Sequence, residues 1–237
     1  EIRVIDPACG SGHFLLYAFD VLERIWWQER PELPREEIPG LILKNNLYGI
    51  DLDLRSCQLA AFNLYLKARS RAEEEGVENF KLPSLNIVCG DAKISNLKGA
   101  KQLIEEITED SNDFLRSALE DILESFEEVQ GLGSLLDVKG TLKEKHKIKE
   151  GNLFTGYNNF EDKLEELHEE IDKLNGEKDF TAKDIEDFLQ LLIILTKDYD
   201  VALIDPLYGA KNRMPDKIKN YVKENYQIPL QTNKNEE

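Results

Sequence analysis

The stretch of sequence that decides the fold is Val4-Ile5-Asp6-Pro7-Ala8-Cys9-Gly10-Ser11-Gly12-His13-Phe14. A short apolar run ends in an acid, passes through a turn with two glycines, and enters a second apolar segment at Phe14. Glycine lets a backbone turn sharply and approach a ligand closely, because it has no Cβ. The first turn of a following helix also offers backbone N–H groups without a partner inside the helix. The pattern therefore predicts a strand, a ligand-binding turn and a helix.

Two nucleotide-binding motifs fit this turn poorly. A dinucleotide fingerprint would have a third glycine near position 15, where the chain has leucine, and a P-loop would continue with lysine after Gly12. The acid at position 6 suits a positively charged or hydroxyl-bearing ligand better than a phosphate. This preference favours S-adenosylmethionine over a nucleotide diphosphate. A glycine turn that serves packing alone stays open as the alternative at this point.

Four apolar runs predict strands, and an acid lies at or just beyond the end of each. The runs are residues 3–6, 47–51, 85–89 and 201–205, and the acids are Asp6, Asp51, Asp91 and Asp205. Strands of this kind that alternate with helices predict an α/β fold whose parallel sheet has about four strands. Ligands bind beyond the carboxyl ends of such strands, so the four acids are expected to meet at the binding edge.

Helical periodicity predicts two long helices, over residues 13–29 and 54–75, with a proline-rich loop and a short helix between them. The apolar face of the first helix is predicted to include Phe14 and Val21, and that of the second to include Leu66. Asp53 is predicted to cap the second helix. Beyond the third strand the alternation stops, and residues 98–130, 159–174 and 181–197 predict further helices.

Composition limits the classes of protein that this chain can belong to. Its three cysteines are far apart, which predicts free thiols in a reducing cytoplasm, and no cysteine–histidine spacing predicts a metal site. No apolar run is long enough to span a membrane. The net charge is −17, and residues 96–198 alone carry 26 acids and 13 bases. Because phosphate neutralisation dominates DNA affinity, that region is expected to face away from any DNA.

Two motifs resemble those of a known enzyme family. Residues 6–12, Asp-Pro-Ala-Cys-Gly-Ser-Gly, resemble motif I of the amino-methyltransferases that methylate adenine N6 in DNA, and residues 205–208, Asp-Pro-Leu-Tyr, resemble their motif IV. The motif order resembles the gamma arrangement, as in methylases of restriction–modification, phage-growth-limitation and BREX systems. The resemblance implies a Rossmann-like class I methyltransferase sheet, S-adenosylmethionine as the cofactor and duplex DNA as the substrate.

The resemblance also implies how the cofactor is held. Asp6 and the turn at residues 8–12 would hold the methionine end, and Asp51 would bind the ribose hydroxyls. Leu52 would pack on the adenine, and Asp91 would accept a hydrogen bond from its amino group. The cofactor-binding set that follows is Asp6, Pro7, Ala8, Gly10, Gly12, Phe14, Asp51, Leu52, Asp91 and Ala92.

The catalytic residues implied by the resemblance are Asp205, Pro206 and Tyr208. The Asp205 carboxylate and the Pro206 carbonyl would accept N–H groups of the target amine, which pushes its lone pair toward the methyl donor. Tyr208 would stack on a base that is swung out of the duplex. Leu207 stands where the family has a second proline, and it gives a looser loop because leucine does not fix φ.

The expected organisation has three parts: a cofactor-binding half at residues 1–95, an acidic helical insertion at 96–198, and a motif IV strand and tail at 199–237. The chain is expected to be a fragment whose DNA contacts lie in missing C-terminal regions, with restriction or defence-system subunits as possible partners. Two alternatives stay open. One is a catalytically inactive or truncated cofactor-binding module, and the other is a methyltransferase of RNA bases or of protein glutamine.

Overall fold

A computed structural model of the chain describes residues 2–91, 97–108, 113–128, 162–168 and 180–204, with the single positions 138, 140, 216 and 220. Backbone contacts group Glu1–Pro206 into one compact unit and Leu207–Glu237 into another. In the second unit only Asp216 and Asn220 are described, and both are helical. The strands and the longer helices with described bounds all lie in the first unit.

All four predicted strands form one parallel sheet. They are β1 (Val4–Asp6), β2 (Leu47–Asp51), β3 (Asn86–Cys89) and β4 (Val201–Ala202), in the order β3-β2-β1-β4. Ile5 pairs with Tyr48 on one side and with Ala202 on the other, and Asp51 pairs with Cys89. The prediction of a partial α/β fold with four parallel strands is confirmed, and it is consistent with part of a Rossmann-like sheet.

Helices connect the strands, as parallel pairing requires. Between β1 and β2 lie α1 (His13–Glu29) and α2 (Ile38–Asn45), and between β2 and β3 lies α3 (Leu54–Glu74). Between β3 and β4 lie α4 (Leu97–Ile107), α5 (Asp113–Glu128), α6 (residues 162–168) and α7 (Phe180–Thr196). Among the described residues, none of these helices has the length and apolar character of a membrane span.

The last of these helices returns the chain to the sheet. Helix α7 packs against β3 and precedes β4 directly, and the Gln190 side chain donates a hydrogen bond to the Leu85 carbonyl at 3.3 Å. Its face toward the interior is apolar and includes Phe188, Leu189 and Leu192, which are fully buried. The division of the chain at residues 95 and 198 stays a prediction.

The main core lies between the sheet and helices α1, α2 and α3. Its side chains include Leu15, Phe19, Leu22, Ile42, Leu43, Leu47 and Leu64. The predicted burial of Phe14, Val21 and Leu66 is wrong, since these side chains are 46%, 38% and 43% exposed. The buried arc of α1 runs through Leu15, Phe19 and Leu22, so the apolar residues outside that arc point away from the sheet.

The helix predicted over residues 98–130 is divided in the structure. Helix α4 ends at Ile107, and α5 begins only at Asp113. Thr108 lies in a turn, where its hydroxyl donates a 2.5 Å hydrogen bond to the Ile104 carbonyl.

A partly buried cluster of charges joins α1 to α3. The Lys67 ammonium lies 2.7 Å from an Asp20 carboxylate oxygen, and Arg71 lies 3.3 Å from Asp20 and 3.5 Å from Glu23. The Glu23 side chain is only 6% exposed, whereas that of Asp20 is 27% exposed. These contacts cross between the two helices, so they fix the position of α1 against α3.

The two carboxyl groups of this cluster are shifted in opposite directions. Burial raises the pKa of Glu23, and the nearby Arg71 charge opposes this shift only in part. Burial also acts to raise the pKa of Asp20, but the hydrogen bond and charge of Lys67, with those of Arg71, hold the pKa below its ordinary value. Ionised Glu23 therefore weakens the fold relative to neutral Glu23, and ionised Asp20 strengthens it.

We expect the free energy of unfolding, relative to wild type, to change with pH in opposite directions in the Glu23→Gln and Asp20→Asn variants. The stabilisation by Asp20 is present above its unfolded-state pKa and is lost as the pH falls through the lower folded-state pKa. The penalty from Glu23 is absent below its unfolded-state pKa and grows as the pH rises through the higher folded-state pKa. From pH 3 to pH 7, the free energy of unfolding relative to wild type should therefore fall for D20N and rise for E23Q. Urea denaturation measures the free energy of unfolding of both variants. A trend with pH of the same sign in the two variants would contradict the opposite pKa shifts of Asp20 and Glu23.

Candidate functional site

The turn after β1 depends on two glycines with left-handed backbone. Gly10 has φ 52° and Gly12 has φ 83°, in the region that side chains with a Cβ disfavour. A Cβ on Gly12 would lie 3.1 Å from the Cβ of Ala60, so Gly12 allows α3 to pack closely against the turn. A Cβ on Gly10 would meet nothing within 4 Å. Gly10 therefore presents open backbone at the end of the strand.

Asp51, at the end of β2, joins this turn to the start of α3. One carboxylate oxygen accepts the Gly10 N–H at 2.9 Å, and the other accepts the Asp53 N–H at 2.9 Å. The carbonyl of Asp51 accepts the Gly90 N–H at 2.7 Å just beyond β3. One residue thus connects the three segments that follow β1, β2 and β3.

Asp6 ends β1 and is almost completely buried, at 1% exposed. One oxygen of its carboxylate accepts the Ala8 N–H at 3.1 Å, which bends the chain back over Pro7. The Cys9 N–H then donates to the Ile50 carbonyl at 2.9 Å and holds the turn on β2. The side chain of Asp6 therefore shapes the turn from beneath.

The structure brings together most of the predicted cofactor-binding residues. The turn at residues 6–12, Asp51 with Leu52, and Asp91 all lie at the carboxyl ends of β1, β2 and β3. Leu52 is 47% exposed there. Phe14 also follows the turn, but its side chain points outward from α1. Ala92 and the predicted catalytic residues Asp205, Pro206 and Tyr208 lie outside the described residues.

A cavity of about 530 Å³ adjoins Leu52 and Asp91. Its other walls include Cys89 of β3 and two acids of α7, Asp184 and Asp187. The sequence predicts α7 as a helix but assigns it no place near the site. The spacing of Asp184 and Asp187, three residues apart, is the signal that both lie on one face of a helix.

The cysteines around the strand ends are neutral thiols. Burial raises the pKa of Cys9 to about 12, and Cys57, Asp6 and Asp51 add to the effect because negative charge nearby disfavours the thiolate. Burial also raises the pKa of Cys57 to about 12. Because the thiolate is the nucleophile, neither group is suited to covalent catalysis at neutral pH.

Sequence reasoning missed two residues that position the turn. The Asn63 side chain on α3 donates a hydrogen bond to the Ser11 carbonyl at 3.0 Å. Gly49 on β2 lies under the turn, where a Cβ would come within 2.9 Å of Leu15 and 3.2 Å of the Cys9 sulfur. Glycine in the middle of a predicted strand is a known sign of close approach, whereas nothing local marks Asn63.

The predicted N-cap of α3 is confirmed. The Asp53 carboxylate accepts the Arg55 N–H at 3.0 Å, and it also pairs with the Arg55 guanidinium at 3.1 Å. Arg55 is therefore directed at Asp53, two residues beyond Asp51.

Comparison with known proteins agrees with this geometry. Residues 1–99 match the family described as MmeI, DNA-methyltransferase domain. This amino-terminal part is similar to the DNA-methyltransferase domain of that family. The resemblance that the sequence analysis found in motif I is therefore confirmed.

The curated relatives are much longer proteins. The adenine-specific methyltransferase PglX of Lacticaseibacillus casei (strain Zhang) is 27% identical over 244 residues, which cover 95% of this chain and 17% of PglX. The adenine-specific methyltransferase BrxX of Escherichia coli O9:H4 (strain HS) is 49% identical over 69 residues, which cover 29% of this chain and 6% of BrxX. A putative type II restriction enzyme and methyltransferase of Methanocaldococcus jannaschii is 36% identical over 103 residues, 9% of its length. The chain thus spans less than a fifth of each of these relatives.

We expect Gly49→Ala to destabilise the protein by about 1–3 kcal/mol, because the new methyl group overpacks a filled space. The added Cβ would lie 2.8 Å from the end of Ile87 and 2.9 Å from the end of Leu15, which is fully buried. Urea denaturation would measure the loss.

Gly40→Ala is the matched control for this prediction. Gly40 lies within α2, and the nearest atom to its added Cβ, on Phe80, is 3.9 Å away. Because alanine favours a helix, we expect G40A to be as stable as wild type or up to about 1 kcal/mol more stable. An equal loss in the free energy of unfolding for G49A and G40A would show that the space around Gly49 is not tightly filled.

Proposed function

We propose that this chain is the cofactor-binding part of an S-adenosylmethionine-dependent methyltransferase that acts on adenine N6 in DNA. The observation that carries the proposal is the bridge from the Asp51 carboxylate to the Gly10 N–H of the motif I turn. It fixes an acid and an open glycine backbone side by side at the carboxyl ends of two parallel strands. That is the edge at which α/β sheets bind ligands.

The residues fit the chemical groups of S-adenosylmethionine. A carboxylate has about four acceptor positions, and the two backbone N–H groups on Asp51 use two of them. The remaining capacity suits the two ribose hydroxyls. Leu52 offers an exposed apolar surface for the adenine, and Asp91 follows β3 on the same edge. The open space at Gly10 leaves room for the ligand at the turn.

The cofactor, when bound, supplies an activated methyl group on a sulfonium. The chain's own residues would then bind, orient and accept hydrogen bonds. Asp205 and the Pro206 carbonyl would accept N–H groups of the target adenine, and Tyr208 would stack on its ring. Because the methyl group must be aligned with the nitrogen, positioning would supply most of the rate.

The names of the relatives support the proposed substrate class and cellular context. PglX and BrxX are both named adenine-specific methyltransferases, and the M. jannaschii relative is named a restriction enzyme and methyltransferase. These names favour DNA adenine over RNA bases or protein glutamine as the target. We also propose that this chain acts in restriction–modification or phage defence, in the cytoplasm, with defence-system subunits as partners.

We expect Asp51→Asn to weaken binding of S-adenosylhomocysteine at least about tenfold. The amide nitrogen replaces one acceptor oxygen, so either a ribose hydroxyl or a backbone N–H loses a charged partner, which typically costs about 1.5–3 kcal/mol. Isothermal titration calorimetry measures the dissociation constant, and a thermal melt without ligand separates lost binding from lost folding.

Asp53→Asn is the matched control, because it makes the same chemical change two residues away. Asn also caps helices, so α3 should keep its start. We expect D53N to bind S-adenosylhomocysteine as wild type does. Equal affinities for D51N and wild type would remove Asp51 from the site and with it the proposed cofactor pocket.

We expect Asp205→Ala to abolish methyl transfer to unmethylated duplex DNA while the affinity for S-adenosylhomocysteine stays within about twofold of wild type. The carboxylate is assigned to the target amine, so its loss should leave the cofactor in place. Transfer of a radiolabelled methyl group measures the first effect, and calorimetry measures the second.

The same assay tests the second candidate function, a cofactor-binding module without turnover. Leu207 in place of the second proline of the family's motif IV favours that candidate. Cofactor binding without methyl transfer by the wild-type chain would support the module. If the D205A variant still transferred methyl groups to DNA, the proposed catalytic role of Asp205 would be wrong.

A further inference from the structure

Ser11 and His13 form a hydrogen-bonded pair in the motif I turn. The Ser11 hydroxyl and His13 Nδ1 are 2.8 Å apart, and His13 is exposed. Ser11 is itself held in place, because its carbonyl accepts the Asn63 side chain at 3.0 Å. Ser11 follows Gly10, whose N–H is bonded to Asp51. The hydrogen bond to Ser11 therefore orients the imidazole at the start of α1, directly after the motif I turn.

The charge of the pocket raises a question about ligand recognition. Asp6, Asp51 and Asp91 all lie at the strand ends, and carboxylates suit the hydroxyls and the ammonium group of S-adenosylmethionine. They would repel the carboxylate of its methionine part. That carboxylate needs a donor or a positive charge from elsewhere in the site.

His13 is the side chain that meets this need. Within residues 4–14 it is the one side chain that can become positively charged. Arg55, the basic residue nearest to Asp51 in sequence, already pairs with Asp53 at 3.1 Å. The pairing with Ser11 occupies Nδ1 of His13, so Nε2 is the nitrogen available to a ligand.

We propose that His13, oriented by Ser11, binds the carboxylate of the methionine part of S-adenosylmethionine. In the tautomer that carries its proton on Nε2, Nδ1 accepts the Ser11 hydroxyl and Nε2–H donates to the carboxylate. His13 thereby distinguishes ligands with the amino-acid part from those without it. The inference rests on the proposed cofactor and adds the residue that recognises its anionic end.

The test compares two ligands that differ in the amino-acid part. S-adenosylhomocysteine carries the carboxylate, whereas 5′-methylthioadenosine keeps the adenosine and the sulfur but lacks the amino acid. We expect His13→Ala in the full chain to weaken the binding of S-adenosylhomocysteine about tenfold, which is the effect of losing one hydrogen bond to a charged group. Binding of 5′-methylthioadenosine should not change. Ser11→Ala should weaken the binding of S-adenosylhomocysteine by a smaller factor and leave the binding of 5′-methylthioadenosine unchanged, because the imidazole stays but loses its orientation.

Arg24→Ala is the matched control, since Arg24 is an exposed basic residue three turns further along α1. Both ligands should bind R24A as they bind wild type. Equal weakening of the two ligands by H13A, or no weakening, would overturn the role of His13 while the cofactor assignment stands. If wild type bound neither ligand, the proposed function itself would fail, and the inference with it.

Discussion

The carboxylate of Asp51 is the group on which the arrangement of the strand ends depends. Its two oxygens hold the Gly10 N–H of the first turn and the Asp53 N–H at the start of α3. Hydrogen bonds to an ionised acceptor are stronger than those between neutral groups, so this residue ties the first turn firmly to the start of α3. A ligand that meets such a turn does not have to order it first, which lowers the entropic cost of binding.

Close packing of small residues keeps the same turn in place from below. Gly12 faces Ala60 of α3, and Gly49 lies directly against the side chains of Cys9 and Leu15, so the turn packs closely on both α3 and β2. Asn63 adds a hydrogen bond from α3 to the Ser11 carbonyl. Helix α3 therefore has two tasks: its apolar residues fill the core, and its first turns support the loop that approaches the ligand. A protein interior with few voids transmits any change at these positions to the site.

The region between β3 and β4 contributes more to the site than its composition indicates. Its helix α7 packs on β3 and places Asp184 and Asp187 in the cavity beside Leu52 and Asp91. The negative charge of residues 96–198 is unfavourable for contact with DNA phosphates. Acids of α7 instead lie next to the proposed adenine end of the cofactor pocket, where hydrogen-bond acceptors are useful.

The sequence alone determined the four parallel strands, the bounds of α1 and the acids at the ends of β1, β2 and β3, because apolar periodicity and turn chemistry are local. The sequence did not predict correctly those features that depend on contacts between distant parts of the chain. Phe14 and Val21 are as apolar as Leu15, yet only the position of the sheet selects which arc of α1 is buried. Helix α4 ends at Ile107, although the sequence pattern predicts that the helix continues. Asn63 carries no local signal, since its partner is 52 residues away. Residue types and periods thus set the elements and the candidate chemistry, and tertiary packing alone decided which side chains meet.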